Sequence, residues 1–572
     1  MAKRKSIVLV ILVIVIVVLS IITGAYFSYL ISEKKSVDTE RLILQALNLA
    51  EAGVNHTIVE LKKGVPRVLK ENIEKSSPQH VKADLERYNS SQTPLSLLED
   101  YANFTIKTIG NITIAEFKVL GSNLSSGIKG SYIANITVIN PTNTTNESNP
   151  KCFKPDNCIF YYKYTINSTA TMEELPIKKS IGLLNGNFTV RVYKKNYAEY
   201  ALFTNHQRTP SGTIVWFTAN TNFTGPLHTN DRFNFANNPS GTFTDTVTQH
   251  LTTARFYNQG LPKLLDADSN PPYDVPNFQE GFSRGAGLIN LPSSITQQDL
   301  VRQATGNRPL GSFSKDGIYL PNNNNTLDGG IYIRGDVRNL TMGVDENNRP
   351  IYTITQGNNT KQIIIDYANN QTIVTDISGS GGTSAGNYSG IPNGITDEGI
   401  IIYGNGKIGN FSGIVQSDTK ITVSSDSDIS INNHITYQSY NSGPPLNAIG
   451  YNNTLGILTW NGNVRISTSA PNDLNIHGIV MAAGRNSIFT VDNYNVPPPR
   501  GTVTLLGGVI TDFYGPFGTF SGNNQISGYG RNFIYDSRMR EGLFPPYFPY
   551  LGNFTASLEV EDEKLIWQDK GV

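Results

Sequence analysis

The sequence predicts a mainly β protein behind a long N-terminal α-helix, transmembrane at first and then amphipathic. A small β or α+β head comes next, and then a C-terminal domain of right-handed parallel β-helix-like build. Three observations predict this. An uncharged stretch, Ser6 to Ser32, stands behind Lys3, Arg4 and Lys5. Apolar residues then recur three or four apart from Ile43 to Leu61. Finally, short Ile-, Val- and Leu-rich runs bounded by Gly, Asn, Asp or Ser return throughout the C-terminal half.

The first stretch is dominated by Ile, Val and Leu from Ile7 to Ile22. A bilayer core of about 30 Å needs roughly 20 apolar helical residues. A signal peptide also starts basic and apolar, but its apolar region is about 7–15 residues long and ends at a small-residue cleavage site. The longer run here favours a retained anchor. Lys3, Arg4 and Lys5 flank it on the short side and favour a cytoplasmic N-terminus, with the body extracytoplasmic. That places the chain in a cell membrane as a single-pass protein.

Ile43, Leu47, Ala50, Val54, Ile58 and Leu61 continue the helix as one apolar stripe. Gly64 and Pro66 are expected to end it near Lys63, because proline cannot continue the hydrogen-bond ladder. The stripe needs a partner, either the chain's own head or neighbouring subunits. Glu51, on the same helix, is either a subunit contact or an exposed carboxylate, the usual state of glutamate.

The basic start, the apolar span and Ala46-Leu47-Asn48-Leu49-Ala50-Glu51-Ala52-Gly53-Val54 together resemble the N-terminal region of PilX-type minor pilins. The resemblance covers about the first 65 residues. Ile11 stands where that family carries a glutamate, and Ser6-Ile7 stands where its processing site has Gly or Ala before Phe or Met. The resemblance implies pilin or pseudopilin subunits as partners and Ile43, Leu47, Ala50, Glu51, Val54, Ile58 and Leu61 as the packing helix.

Residues 66–196 read as the head, from the alternating runs Phe104 to Ile109, Ile112 to Val119, Tyr132 to Val138, Ile159 to Ile166 and Phe188 to Tyr193. Asn-x-Ser/Thr triplets start at Asn103, Asn111, Asn135 and Asn187, a density that chance explains in so Asn- and Thr-rich a chain. Cys152 and Cys158 flank a short loop that can close as a disulfide in an oxidising compartment; the alternative is two free thiols. Residues 197–320 hold a buried-strand candidate, Thr213 to Thr218, a turn, Gly225 to Asn230, and a loop-rich stretch, Leu261 to Asn307. His228 in that turn lacks a second ligand at motif spacing and reads as structural.

From 321 to 572 strand-like pieces include Gly330 to Arg334, Gly399 to Tyr403, Lys420 to Val423, Asp428 to Ile431 and His434 to Tyr437. Leu455 to Trp460, Asn463 to Ser467, Ile476 to Met481 and Thr502 to Leu506 come after them. Stacked coils would pair each strand with its equivalent one coil away; a β-sandwich or barrel gives similar spacing. The ordered succession Gly225-Pro-Leu-His-Thr-Asn230, Leu455 to Leu458, Ile476 to Ala483, Pro497 to Gly501, Gly515 to Phe520 and Tyr535 to Arg538 resembles an uncharacterised bacterial envelope domain family. Members of that family often follow pilus-type anchors. Phe544 to Pro549 and Leu565 to Trp567 are expected to cap the last coil.

The 46 basic and 46 acidic residues give zero net charge, which supplies no electrostatic reason to expect nucleic acid. Plentiful Gly (52) and Tyr (28) suit a turn-dense β protein. No nucleophile elbow, phosphate loop or zinc-protease helix is present, and neither a cofactor nor a metal is expected. Asp418, Asp426, Asp428, Asp473 and Asp512 are available in the stack. Asp426 and Asp428, expected on one strand face, would be Ca²⁺ ligands or a solvated turn. Asp536 and Arg538, expected to share a strand face, read as a local ion pair. The expected function is a non-catalytic, membrane-anchored structural component of a type IV pilus or secretion pseudopilus. The alternatives are a surface adhesin for glycans and an anchored polysaccharide-active enzyme on a β-helix.

Overall fold

The computed structural model describes residues 2–75, 81–83, 85, 105–109, 112–122, 129–139, 151–154, 157–173, 177–218, 221–236, 241–258, 261–265, 275–438, 440, 451–521, 524–561 and 566–569. Side chains of several of these, Lys3, Arg4, Lys5 and Cys152 among them, lie outside the description, as do Asn103, Phe104, Asn111 and Leu565. The protein is mainly β with one long apolar N-terminal helix. It divides into two units: residues 1–195 with 552–572, and residues 196–551. The expected divisions at 65/66 and 320/321 are not boundaries between these units.

In the first unit, helix α1 runs Ala2–Lys75. It passes through Gly64 and Pro66, where the sequence predicts a stop. A proline costs about 3 kcal/mol inside a helix. Beyond it, Ile73 is buried in the head core, and that anchorage holds the last turns helical. The head sheet is antiparallel: β1 (Thr105–Ile109), β2 (Ile112–Ser122), β3 (Gly130–Ile139), β5 (Asn157–Met172) and β6 (Lys178–Asn196), with β4 (Lys151–Lys154) paired to β5. A last strand, Tyr550–Glu561, lies beside β6, and Ile566–Asp569 pairs with β6 further along. Burial in β5 alternates residue by residue, as a strand with one face in a core must. Phe160, Tyr162, Tyr164 and Ile166 point inward with Tyr132, Ala134, Ile136 and Val138 of β3 and Phe188, Val190 and Val192 of β6.

The second unit contains ten strands joined in parallel, each to the next. In spatial order they are Ile331–Arg334, Ile400–Gly404, Lys420–Ser425, Thr454–Thr459, Asn475–Ala482, Pro499–Phe513, Leu202–His206, Leu227–Thr229, Val247–Gln249 and Phe282–Ser283. One register position forms an apolar ladder through all ten: Ile331, Ile402, Val423, Ile457, Val480, Val509, Leu202, Leu227, Val247, Phe282. Because Val509 pairs with Leu202, residues 197–320 continue the sheet of the C-terminal half rather than forming a separate segment. A second parallel run joins Val337–Val344, Ile408–Val415, Ile429–Tyr437, Val464–Ile466 and Phe489–Val491. The sheets are mixed, however. An antiparallel meander, Pro350–Gln356, Asn359–Asp366, Gln371–Ser378 and Gly386–Ser389, extends from Val337–Val344. Its bends use left-handed backbone at Asn348, Gly357 and Asn370, which Asn and Gly tolerate best.

Several local expectations are corrected. Thr213 to Thr218 is no strand: Ile214 and Phe217 form isolated bridges, and only Phe217 is buried. Gly225 to Asn230 is not simply a turn, because Leu227–Thr229 is a buried strand paired on both sides. The stretch 261–307 carries strand Leu261–Leu265 and helix α2, Ser294–Thr305. Leu300 and Ala304 of α2 are buried, and Gly306 closes the helix in the left-handed conformation. Ile429 to Ile431 and His434 to Tyr437 belong to one strand, Ile429–Tyr437, which Asp428 precedes. Phe544 to Pro549 does not cap an end. The Thr422 hydroxyl donates to the Pro546 carbonyl, and Phe548 and Pro545 sit over Gly456, so the segment crosses the flank of neighbouring parallel strands. Ile566–Asp569 pairs in the head sheet, not against the last coil.

Candidate functional site

The N-terminal helix combines the features that bear on function. From Ile7 to Ile31 its apolar side chains are exposed all round, and none of its apolar window is buried within the protein. An all-round apolar helix of this length is a candidate membrane span. Tyr26 and Tyr29 lie near the C-terminal end of this stretch, and amphipathic rings such as theirs favour a membrane–water interface. Charged residues from Glu33 to Arg41 come next, exposed or half-buried.

Docking on the head begins at Leu42. The buried side of α1 is formed by Leu42, Ala46, Leu49, Ala50, Gly53, Val54, Thr57 and Leu61. Of the predicted stripe, Ala50, Val54 and Leu61 are buried; Ile43, Leu47 and Ile58 are half-buried, and Glu51 is exposed. The buried face is thus turned by roughly a quarter of the helix circumference from the predicted one. The apolar arc is wider than the sheet covers, so Val37 (59% exposed), Leu44 (60%) and Val59 (44%) remain in the open. The signal missed in the sequence is the small-residue series Ala46, Ala50 and Gly53, which permits close approach to a sheet. A Cβ at Gly53 would lie 2.2 Å from Ser168 Oγ and 2.7 Å from the Tyr132 ring. His56 Nδ1 and the Tyr132 hydroxyl, 2.5 Å apart, fix that ring, and Thr57 Oγ1 donates to the Gly53 carbonyl at 2.8 Å.

Cys158 is disulfide-bonded, and Cys152 is its register partner across β4 and β5, so the short loop between them is closed. An unstrained cross-strand pairing of this kind needs the two Cα atoms within about 7 Å.

The polar groups of the second unit tie neighbouring strands and loops together. Asn205 Nδ2 donates to Asp512 Oδ1 at 2.8 Å, and Asp512 Oδ2 accepts the Asn486 N–H at 2.7 Å. Asn230 Nδ2 donates to Asn205 Oδ1 at 3.0 Å and to the Ile289 carbonyl, while its Oδ1 accepts the Ile289 N–H. His228 is buried between Thr248 Oγ1 (2.8 Å) and Asn230 Oδ1 (3.1 Å), a satisfied interior histidine. Asp426 and Asp428 lie in the bend between two strands, not on one strand face. Asp426 accepts from Tyr403 and Gln297, and Asp428 accepts the Asn463 N–H. Asp473 accepts the Thr502 N–H at 2.9 Å, and Asp418 is exposed.

Asp536 and Arg538 pair as expected, but on a 3-10 turn, Ser537–Met539, rather than a strand face. Both side chains are 1% exposed, with Nη2 and Oδ2 2.7 Å apart. Arg538 also donates to the Tyr451 carbonyl and lies 5.1 Å from the centre of the Tyr437 ring. Beside them, His477 Nδ1 accepts the Tyr437 N–H at 3.0 Å. Burial, with the Arg538 charge adding to it, pushes the His477 pKa down to about 4, so the ring is neutral and able to accept. Among the described residues no three of His, Cys, Asp and Glu come together to hold a cation.

No curated protein and no solved structure matches this chain. A family model described as a domain of unknown function, DUF4900, matches residues 159–250. That stretch takes in β5, β6 and the strands up to Val247–Gln249. Over this portion the chain is similar to a family whose description assigns no activity.

Proposed function

We propose that this chain is a membrane-anchored extracytoplasmic structural component of a type IV pilus or secretion-pseudopilus system, minor pilin-like and non-catalytic. The observation that carries the reading is the continuity of α1. One unbroken helix has an apolar segment with no protein cover, and then docks its small-residue face on an antiparallel sheet. Its uncovered apolar flank at Val37, Leu44 and Val59 supports packing against pilin or pseudopilin helices. The disulfide at Cys158 fits a body held in an oxidising compartment, with Lys3, Arg4 and Lys5 on the cytoplasmic side. In this reading the ten-rung apolar ladder is the core of a parallel β-helix, right-handed by the general rule for parallel crossovers. Its body is what the anchor holds beyond the membrane.

The test is membrane extraction with tagged protein in cells that make the machine. The wild type stays in membranes under alkaline carbonate and co-purifies with pilin subunits. Ile11→Arg with Ile14→Arg, at about 2.5–3.5 kcal/mol each for a helix centre, moves it to the soluble fraction. Carbonate release of the wild type removes the anchor; retention without any pilin co-purification, and normal pili on deletion, removes the pilus assignment.

A further inference from the structure

We propose that the C-terminal strand is a separable element docked on the edge of β6, and that this edge accepts the same strand in trans from a second copy of the chain. The inference is independent of the anchoring role. It begins with the topology. The head is built from residues 1–195 and completed by residues 552–572, with the whole second unit lying between them in the chain. Tyr550–Glu561 is the neighbour of β6 in the sheet, and Ile566–Asp569 continues along the same strand, Ile566 opposite Leu184 and Asp569 opposite Ile181. Without this segment the β6 edge presents a row of unpaired backbone groups, the situation that recruits an added strand.

The docked segment also fills the core. Phe554 is 1% and Ala556 9% exposed, both within the head's apolar cluster, and the Lys194 ammonium lies 5.5 Å from the Phe554 ring centre. The recognition chemistry is therefore explicit: an extended segment with an aromatic residue and a small one two positions later. Delivery in cis is set within the second unit by a clasp between its two ends. Asn196 Nδ2 donates to the Phe548 carbonyl at 3.0 Å, and the Tyr197 N–H to the Pro549 carbonyl at 3.1 Å. Nothing in the β6 pairing depends on which copy supplies the strand. Exchange of an identical element between copies swaps equal contacts.

The experiment uses the full chain in detergent with a protease site inserted between Lys195 and Asn196. After cutting, fragments 1–195 and 196–572 are expected to co-elute on size exclusion. Phe554→Asp should speed their separation at least tenfold, and Phe554→Ala should do so to a smaller degree if the charged variant does not accumulate. Two cut preparations, one tagged at the N-terminus of fragment 1–195 and the other at the C-terminus of fragment 196–572, should form mixed pairs carrying both tags when incubated together at raised temperature. Immediate separation of the cut wild type overturns the docking. Equal retention in the wild type and both Phe554 variants overturns the strand as the holding element. Absence of mixed pairs overturns acceptance in trans.

Discussion

Replacing Gly53 by alanine tests the docking of α1 most directly. On an isolated helix the change stabilises by about 1 kcal/mol, because glycine is the poorer helix former. In the protein the new Cβ would meet Ser168 Oγ at 2.2 Å and the Tyr132 ring at 2.7 Å. The ring is pinned by His56, so it cannot swing away cheaply. Overpacking a tight core costs about 1–3 kcal/mol, and contacts this short belong at the upper end. The net expectation is a loss of about 1–2 kcal/mol. Ser168 Oγ is buried without a hydrogen-bond partner, so Ser168→Ala alone should be neutral or stabilising, and in the double variant it should return at least half of the loss. The assay is amide hydrogen exchange on the full-length protein in detergent, read on peptides from α1 beyond Leu42 and from β3. A loss of about 1.4 kcal/mol speeds exchange tenfold in those peptides. Unchanged or slower exchange in Gly53→Ala, or strict additivity with Ser168→Ala, would refute the close-approach argument.

The same geometry sets three further outcomes. Arg538→Met strands the Asp536 carboxylate in a site where both partners are 1% exposed, and should cost about 3–5 kcal/mol in urea unfolding of the second unit; adding Asp536→Asn should recover part of it. His477, neutral in the fold with a pKa near 4 against 6.5 unfolded, binds fewer protons folded than unfolded between those values. Stability should therefore be full above pH 6.5 and fall by about 1.4 kcal/mol per unit towards pH 4, a dependence that His477→Gln flattens in melts compared across that range. Cys158→Ser opens the short disulfide loop and, by loop-closure entropy, should cost about 2 kcal/mol, read as a lower unfolding temperature for the head with the second unit unchanged.

Much of the head was legible because its signals are local. Period-two alternation places Tyr132 to Val138, Ile159 to Ile166 and Phe188 to Tyr193 in strands that the structure lengthens but does not move. The face of α1 was less legible. Apolar residues occupy most of its circumference, so periodicity alone could not say which arc meets the sheet. Ala46 and Gly53, weak in any hydropathy argument, decide it by letting the backbones approach. In the second unit, strands of two or three residues such as Asn222–Phe223 and Leu227–Thr229 carry no periodic signal of their own. They exist because stacked neighbours supply their hydrogen bonds.

By itself the sequence determined the apolar span, the helical character of the residues immediately behind it and the β nature of the body. It also determined the cysteine spacing that permits a small closed loop. Each of these depends on residues close together in the chain, where side-chain pattern and backbone reach suffice. Only the tertiary structure decided that Val509 stacks beside Leu202, that Pro66 stays helical, that Asp536 and Arg538 are interior, and that the last strand completes the first unit. Those outcomes are set by packing and register between segments far apart in sequence, whose mutual burial outweighs local preference and leaves no mark in either segment alone.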